Sequence, residues 1–239
     1  DMARDGIDYL VLSGNKLYAP FGAGAIIGRG DWLGAGTPYL AGGGAVHRGR
    51  PDTASWAAGP ARHEAGSPNL MGVAALGKAA EVLSALDPEP WQRHEETLRS
   101  YLEAGLRSLP GIHVHRIFGE ETEAVGIVNF SVAGYDAGLV AAYLSAEHGV
   151  GLRDGKFCAH PLLNRLGLPS GSLRASFGLG SRLDDAGRLL AGVEALLREG
   201  LRLDYLIECG RWVLAQESRP FPDWAPVMPG TAGAAPAQA

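Results

Sequence analysis

The run Tyr9-Leu10-Val11-Leu12 is apolar without alternation. It stops at Ser13-Gly14-Asn15-Lys16-Leu17-Tyr18-Ala19-Pro20, and the turn Phe21-Gly22-Ala23-Gly24 follows. Continuous apolar character over a short stretch bounded by turn residues predicts a strand over Ile7–Leu12 that is buried on both faces. Ala25-Ile26-Ile27-Gly28 predicts a second strand directly after the turn. This pairing constrains the chain to a sheet-bearing fold. It also argues against a nucleotide loop at Gly22-x-Gly24-x-x-x-Gly28, because such a loop leads into a helix and here β-branched residues follow. Lysine is scarce, with only Lys16, Lys78 and Lys156 present, and Lys16 falls between the strand and the turn. A half-buried lysine amine can lose its proton near neutral pH and attack an aldehyde. A strand-end lysine that only snorkels to water has the same local pattern.

Bulk properties narrow the function classes. The 239 residues are 46% hydrophobic and 20% charged, the balance of a soluble globular chain long enough for one large domain or two smaller ones. A net charge of −5 argues against a nucleic-acid footprint, which needs a basic face. The two cysteines, Cys158 and Cys209, are too few for a disulfide framework and suit a reducing, cytoplasmic setting. No apolar run is long enough to span a bilayer, and no signal peptide is visible.

Further along, Tyr39-Leu40-Ala41-Gly42-Gly43-Gly44 predicts a loop of closely approached backbone. Ser67-Pro68-Asn69 reads as a helix start, with Ser67 as the capping hydroxyl and an apolar helical pattern through Val73, Leu76, Ala80 and Leu83. Free N–H groups at such a start suit a phosphate. After a break at Asp87-Pro88-Glu89-Pro90, a long helix is expected over Trp91–Leu109, with Leu98, Leu102, Leu106 and Leu109 on one face. Strands are expected at Ile112–His115 and Gly126–Val132, a helix at Asp136–Glu147 and a short strand at Val150–Arg153. His113 and His115 would share one strand face, where solvent exposure is favoured over a metal pair because no further ligand is near. From Arg211 onward periodicity is lost, and the prolines at 220, 222, 226 and 229 suggest an irregular tail. The expected divisions are residues 1–85, 86–210 and 211–239.

Cys158 lies in Arg153-Asp154-Gly155-Lys156-Phe157-Cys158-Ala159-His160-Pro161-Leu162, between a strand and a Pro-led helix. Its basic neighbours and the lack of apolar residues on both sides suit a reactive thiol; an inert cysteine is the alternative at the same spacing. Leu173-Arg174-Ala175-Ser176 places an arginine among small residues on a strand, which suits bidentate capture of a carboxylate or an ordinary surface ion pair.

Four of these motifs, in this order, resemble class V aminotransferase-fold enzymes. Ser13–Pro20 is similar to the signature Ser-Gly-His-Lys-x-Tyr-Gly-Pro, with Asn15 in place of histidine. Glu64-Ala65-Gly66-Ser67-Pro68-Asn69 resembles Glu-Ala-Gly-Thr-Pro-Asn. The cysteine loop resembles Arg-x-Gly-x-x-Cys-Ala-x-Pro-Leu of group II cysteine desulfurases and selenocysteine lyases, with Lys156-Phe157 replacing His-His. Leu173–Ser176 resembles the Arg-Ala-Ser motif, with Gly180-Ser181 where Tyr-Asn is usual.

The resemblance implies an α/β chain of PLP-dependent transferase fold type I: the C-terminal part of the large domain plus a small α+β domain. It implies pyridoxal 5′-phosphate held by Lys16, with Ser13, Asn15 and Ser67 as cofactor-binding residues. It implies Cys158 as a catalytic, persulfide-forming thiol and Arg174 and Arg153 as substrate-binding residues, with no metal. An amino-acid substrate, a homodimer and a sulfur-acceptor protein are the implied partners; no nucleic acid or membrane is expected. Two alternatives accompany this reading. One is an aminotransferase, lyase or epimerase without desulfurase activity. The other is a non-catalytic fragment, since the family's ring-binding aspartate and histidine precede the lysine motif and are not identifiable in residues 1–13.

Overall fold

Strand β1 (Tyr9–Ser13) pairs antiparallel with β2 (Gly24–Gly28), Tyr9 opposite Gly28 and Ser13 opposite Gly24. The computed structural model describes residues 1–119, 122, 124–217 and 219. The chain divides into two units, Asp1–Pro88 and Glu89 onward.

In the first unit, the expected strand pair forms, but it is not buried. Tyr9, Leu10 and Val11 are 39%, 41% and 72% exposed, and Ile26 is 61% exposed. A two-stranded hairpin has two faces; the Trp32 ring meets Tyr9 edge-on at 6.1 Å, and that contact leaves Leu10, Val11 and Ile26 exposed. A short helix, α1 (Gly30–Ala35), follows the hairpin. Strands β3 (Val46–Gly49) and β4 (Ala54–Trp56) form a second hairpin, and a 3-10 turn spans Gly59–His63. Polar and ring contacts hold these pieces together. His63 Nε2 lies 2.9 Å from the Leu33 carbonyl, Arg62 donates to the carbonyls of Ala57 and Gly36, and the Trp32 and His63 rings are stacked 6.1 Å apart. Helix α2 (Leu70–Ser84) closes the unit. Its cap is Asn69, whose side chain accepts from the Gly72 N–H, not the expected Ser67. The Ser67 hydroxyl is therefore not used in capping.

The second unit begins with α3 (Pro88–Ser108), which starts inside the expected Asp87–Pro90 break. Pro88 and Pro90 fall in its first turn, where the missing N–H groups would be unpaired anyway. Leu98, Leu102 and Leu106 are fully buried, as their spacing predicts. Strands β5 (Ile112–His115), β6 (Ile127–Val132), β7 (Arg153–Gly155) and β8 (Ser172–Ser176) form an antiparallel sheet in the order β5-β6-β8-β7. The expected strand at Val150–Arg153 is displaced. Gly149 caps α4 (Ala137–His148) in a left-handed conformation and Val150 N–H returns to the Leu144 carbonyl, so Val150–Leu152 belong to the helix exit.

Helix α5 (His160–Arg165) follows the cysteine loop, and α6 (Leu183–Glu199), which the sequence reading did not identify, follows β8. Period-2 alternation decides the sheet faces. Val128, Phe130 and Val132 of β6 and Leu173 and Ala175 of β8 join Leu102, Leu106, Val140, Leu144, Leu189, Val193 and Leu196 in one buried core. Helices α4 and α6 approach closely at Gly192, where an added Cβ would lie 2.7 Å from Leu144 Cδ2. There Tyr143 donates to the Gly192 carbonyl at 3.1 Å and pairs with His148 Nε2 at 2.7 Å. Burial and the Glu147 charge push the Tyr143 phenol up to about 12.

The irregular stretch expected from Arg211 is ordered at its start. Strand β10 (Arg211–Leu214) pairs with β9 (Tyr205–Glu208) across a Cys209-Gly210 turn, both residues at positive φ. Glu147 Oε1 anchors this hairpin to α4 by accepting from the Arg202 and Leu203 N–H groups and from the Tyr205 hydroxyl at 2.9 Å. Residues 220–239, where the irregular tail was expected to continue, lie outside the described residues. No helix among the described residues is long and apolar enough to cross a membrane.

Candidate functional site

In the first unit, β1 ends at Ser13 and the chain turns through a 3-10 segment, Gly14–Lys16. Gly14 receives Leu17 and Ala19 N–H groups at its carbonyl and donates its own N–H to the Ala23 carbonyl at 2.8 Å. This folds Lys16 onto a closed loop with Tyr18 and Phe21 both at positive φ. Bulky residues there carry a backbone cost of roughly 1–3 kcal/mol each, a cost that concentrates at functional loops. Lys16 is exposed and makes no hydrogen bond or ion pair among the described residues. Ser13 Oγ donates to Asn15 Oδ1 at 2.5 Å beside it.

Two further stretches converge on this loop. Asn69 at the start of α2 donates to the Phe21 carbonyl at 2.6 Å while capping Gly72. A side chain at Gly72 would meet the Ala23 Cβ at 2.9 Å, so glycine permits the first turn of α2 to lie against the lysine loop. The Gly66 N–H donates to the Gly43 carbonyl at 2.8 Å, which ties the glycine-rich loop to the Ser67 turn. The structure thus ties the Ser67-Pro68-Asn69 turn and the start of α2 to Phe21 and Ala23 beyond the lysine, and the Gly66 end of that turn to the glycine loop. Asn69 was missed as the tying residue, although asparagine directly before an apolar helical run is a capping signal.

In the second unit, Cys158 follows β7 and is exposed. Lys156 to Ala159 form a turn closed by Ala159 N–H to the Lys156 carbonyl at 2.7 Å. Its two central residues, Phe157 and Cys158, have φ of 52° and 58°. Both in the left-handed region is the pattern of a type I′ turn, which glycine and asparagine usually fill. Arg174 sits on β8, directly opposite Arg153 of β7 and Asn129 of β6; His115 of β5 pairs in turn with Asn129. These four residues form a polar row across the sheet face opposite the core. Asn129 accepts from the Ser172 hydroxyl at 3.0 Å. Asn129 was not singled out from sequence; its signal is a polar residue at an outward position of an otherwise apolar strand.

Arg174 is half-buried, its Nε is buried without a partner, and its guanidinium lies 5.3 Å from the centre of the Phe157 ring. Two guanidinium groups directly opposite on neighbouring strands repel and favour an anion between them. His113 and His115 lie 4.5 Å apart, but His115 is half-buried rather than solvent-exposed, and bonds Ser131 Oγ. No group of three metal-ligating side chains occurs among the described residues.

The family model described as aminotransferase class-V matches residues 1–189. A cysteine desulfurase of Dickeya dadantii (strain 3937) is 37% identical over 192 residues, covering 80% of this chain and 45% of that protein. Cysteine desulfurase CsdA of Escherichia coli (strain K12) is 34% identical over 197 residues, 82% of this chain and 47% of the relative. A crystal structure of CsdA from Escherichia coli, in an S-sulfonic acid form, matches with a TM-score of 0.76 over 82% of this chain and 48% of that one. An apo cysteine desulfurase from Thermococcus onnurineus NA1 matches with a TM-score of 0.74 at 28% identity, over 82% and 48% of the two chains. The chain spans about half the length of the curated relatives it matches.

Proposed function

This chain belongs to the aminotransferase class-V family and has the fold of the C-terminal portion of its PLP-dependent members, and on that premise we propose that it carries part of the active site of a cysteine desulfurase. The observation that carries the reading is the cysteine turn on β7–α5 beside the Arg153–Arg174 pair, together with cysteine desulfurase relatives at 34–37% identity.

The residues present fit pyridoxal 5′-phosphate. Lys16 is an unpaired amine on a closed loop. The Asn15 amide nitrogen, oriented by the Ser13 hydroxyl on its oxygen, and the Ser67 hydroxyl offer donors for a phosphate. When bound, the cofactor supplies an electron sink at the substrate α-carbon. Lys16 holds it and moves protons at that carbon. Arg174, with Arg153 opposite, binds the substrate carboxylate in a fork that fixes its orientation. Cys158 thiolate attacks the substrate sulfur; a sulfur–sulfur bond forms as the carbon–sulfur bond breaks, its electron pair stays with carbon, and Cys158 is left as a persulfide. A homodimer, a cytoplasmic location and an acceptor protein for that sulfur belong to the same proposal, as does division of the chain near residue 85 between large-domain and small-domain parts.

Borohydride reduction of the intact PLP-loaded protein followed by peptide mapping is expected to label Lys16; label elsewhere overturns the cofactor assignment. Sulfide release from L-cysteine is expected to fall at least about 100-fold in Cys158→Ala, a loss of about 2.7 kcal/mol in barrier lowering. Turnover unchanged in that variant would favour an aminotransferase, lyase or epimerase.

A further inference from the structure

The contact between Phe157 and Arg174 joins two residues that the sequence places 17 positions apart. Arg174 emerges from β8 on the open face of the sheet. Neither it nor Arg153 forms an ion pair among the described residues. An arginine in that position has a long, rotatable stem, and a free guanidinium must be ordered before it can take a carboxylate with both arms. The Phe157 ring face lies over that guanidinium at 5.3 Å, within the range of a cation–π contact. The Nε edge is buried and unpartnered, so one side of the group is already withdrawn from water.

The contact also acts in the other direction. Phe157 and Cys158 are the two central residues of the left-handed turn, where an aromatic side chain has no intrinsic preference. Such a conformation persists when surrounding contacts determine it. The ring that rests on Arg174 belongs to the residue immediately before the thiol.

We propose that Phe157 is a positioning residue that holds the Arg174 guanidinium ready for a substrate carboxylate and, through the turn it shares with Cys158, couples carboxylate capture to presentation of the thiol. This rests on the desulfurase reading for its substrate, but the Phe157–Arg174 contact can be tested without turnover. The aromatic face, not merely bulk, is the operative feature. Phe157→Leu keeps much of the volume and removes the ring; Phe157→Tyr keeps the ring.

The experiment uses the intact PLP-loaded enzyme and both variants. KM for L-cysteine is expected to rise about tenfold in Phe157→Leu with kcat changed less than about threefold, and Phe157→Tyr is expected to restore KM to within about twofold. Calorimetric binding of L-alanine is expected to weaken about tenfold in Phe157→Leu, while binding of ethylamine, the same amine skeleton without the carboxylate, stays unchanged. The rate of Cys158 alkylation by iodoacetamide is expected to change at least about threefold in Phe157→Leu and to return in Phe157→Tyr. Equal weakening of L-alanine and ethylamine, or failure of Tyr to restore, overturns the proposal by reducing Phe157 to a packing residue. Wild-type protein that binds L-alanine through Arg174 but releases no sulfide would instead refute the desulfurase reading and leave the Phe157 test intact.

Discussion

The two units reach order by different means. From Glu89 onward, Leu102, Phe130, Val140, Leu144 and Val193 are fully buried in one core between an antiparallel sheet and three helices. In Asp1–Pro88 the buried apolar residues are Ala19 and Ala45, while Val11, Ile26, Trp32 and Leu70 are all more than 60% exposed. An isolated two-stranded hairpin is marginal in water, and large exposed apolar patches mark surfaces that receive other chain. The first unit holds its chemistry through closed loops, a cap and ring contacts. The second holds Arg174 on a strand whose other face is anchored in a core. The proposed carboxylate site is therefore on the rigid unit, and the proposed cofactor lysine is on a unit whose own packing is thin.

This contrast can be tested most strongly by truncating one apolar residue in each unit. Phe130→Ala is expected to cost about 3–5 kcal/mol in denaturant unfolding, because the side chain is fully buried and leaves a cavity. Leu10→Ala is expected to cost less than about 1 kcal/mol, because the side chain is already partly in water. Equal losses would show that the hairpin face is covered in the intact protein and would break the contrast.

A smaller effect is expected at the junction of α2 with the lysine loop. Asn69→Ala removes the cap and the tie to Phe21 together, and should cost about 1 kcal/mol. Faster amide exchange confined to residues 14–24 and 66–73 would be its signature. Loss of protection in the second unit as well would mean that the two units do not open separately.

The smallest effect concerns pH. Burial, and then the charge of His113, hold the His115 imidazole below its ordinary range. The unfolded chain therefore binds that proton more readily than the folded one. The associated stability is complete above the ordinary histidine pKa and is lost as pH falls through it toward the lowered folded value. His115→Gln is expected to flatten the melting-temperature profile between about pH 7 and 5, by less than about 1 kcal/mol. A steeper profile in the variant would reverse the assigned direction.

Much of the site was legible because its residues act in short local motifs. The strand–turn around Lys16, the Ser67-Pro68-Asn69 turn, the Cys158 loop and the Arg174 strand all lie where their spacing put them. What failed depended on neighbours distant in sequence. The Ile7–Leu12 run reads as doubly buried because apolar continuity reports a preference for burial, not the presence of a partner. Arg211–Leu214 reads as irregular because its order comes from pairing with Tyr205–Glu208 and from Glu147, 55 residues before Arg202. Ser67 reads as the cap because serine and asparagine are nearly equal there, and only the hydrogen bond to Gly72 separates them.

The sequence by itself determined β1, β2, α2, α3, β5, β6, α4 and the buried face of α3, since these follow from local periodicity, while its resemblance to the family pointed to the residues of the proposed chemistry. Only the tertiary structure decided which of those residues stand together. It set His115, Asn129, Arg174 and Arg153 in one row across four strands and laid the Phe157 ring over Arg174. Strand register and a left-handed turn bring such groups into contact, and both are fixed by packing and pairing between segments that are remote along the chain.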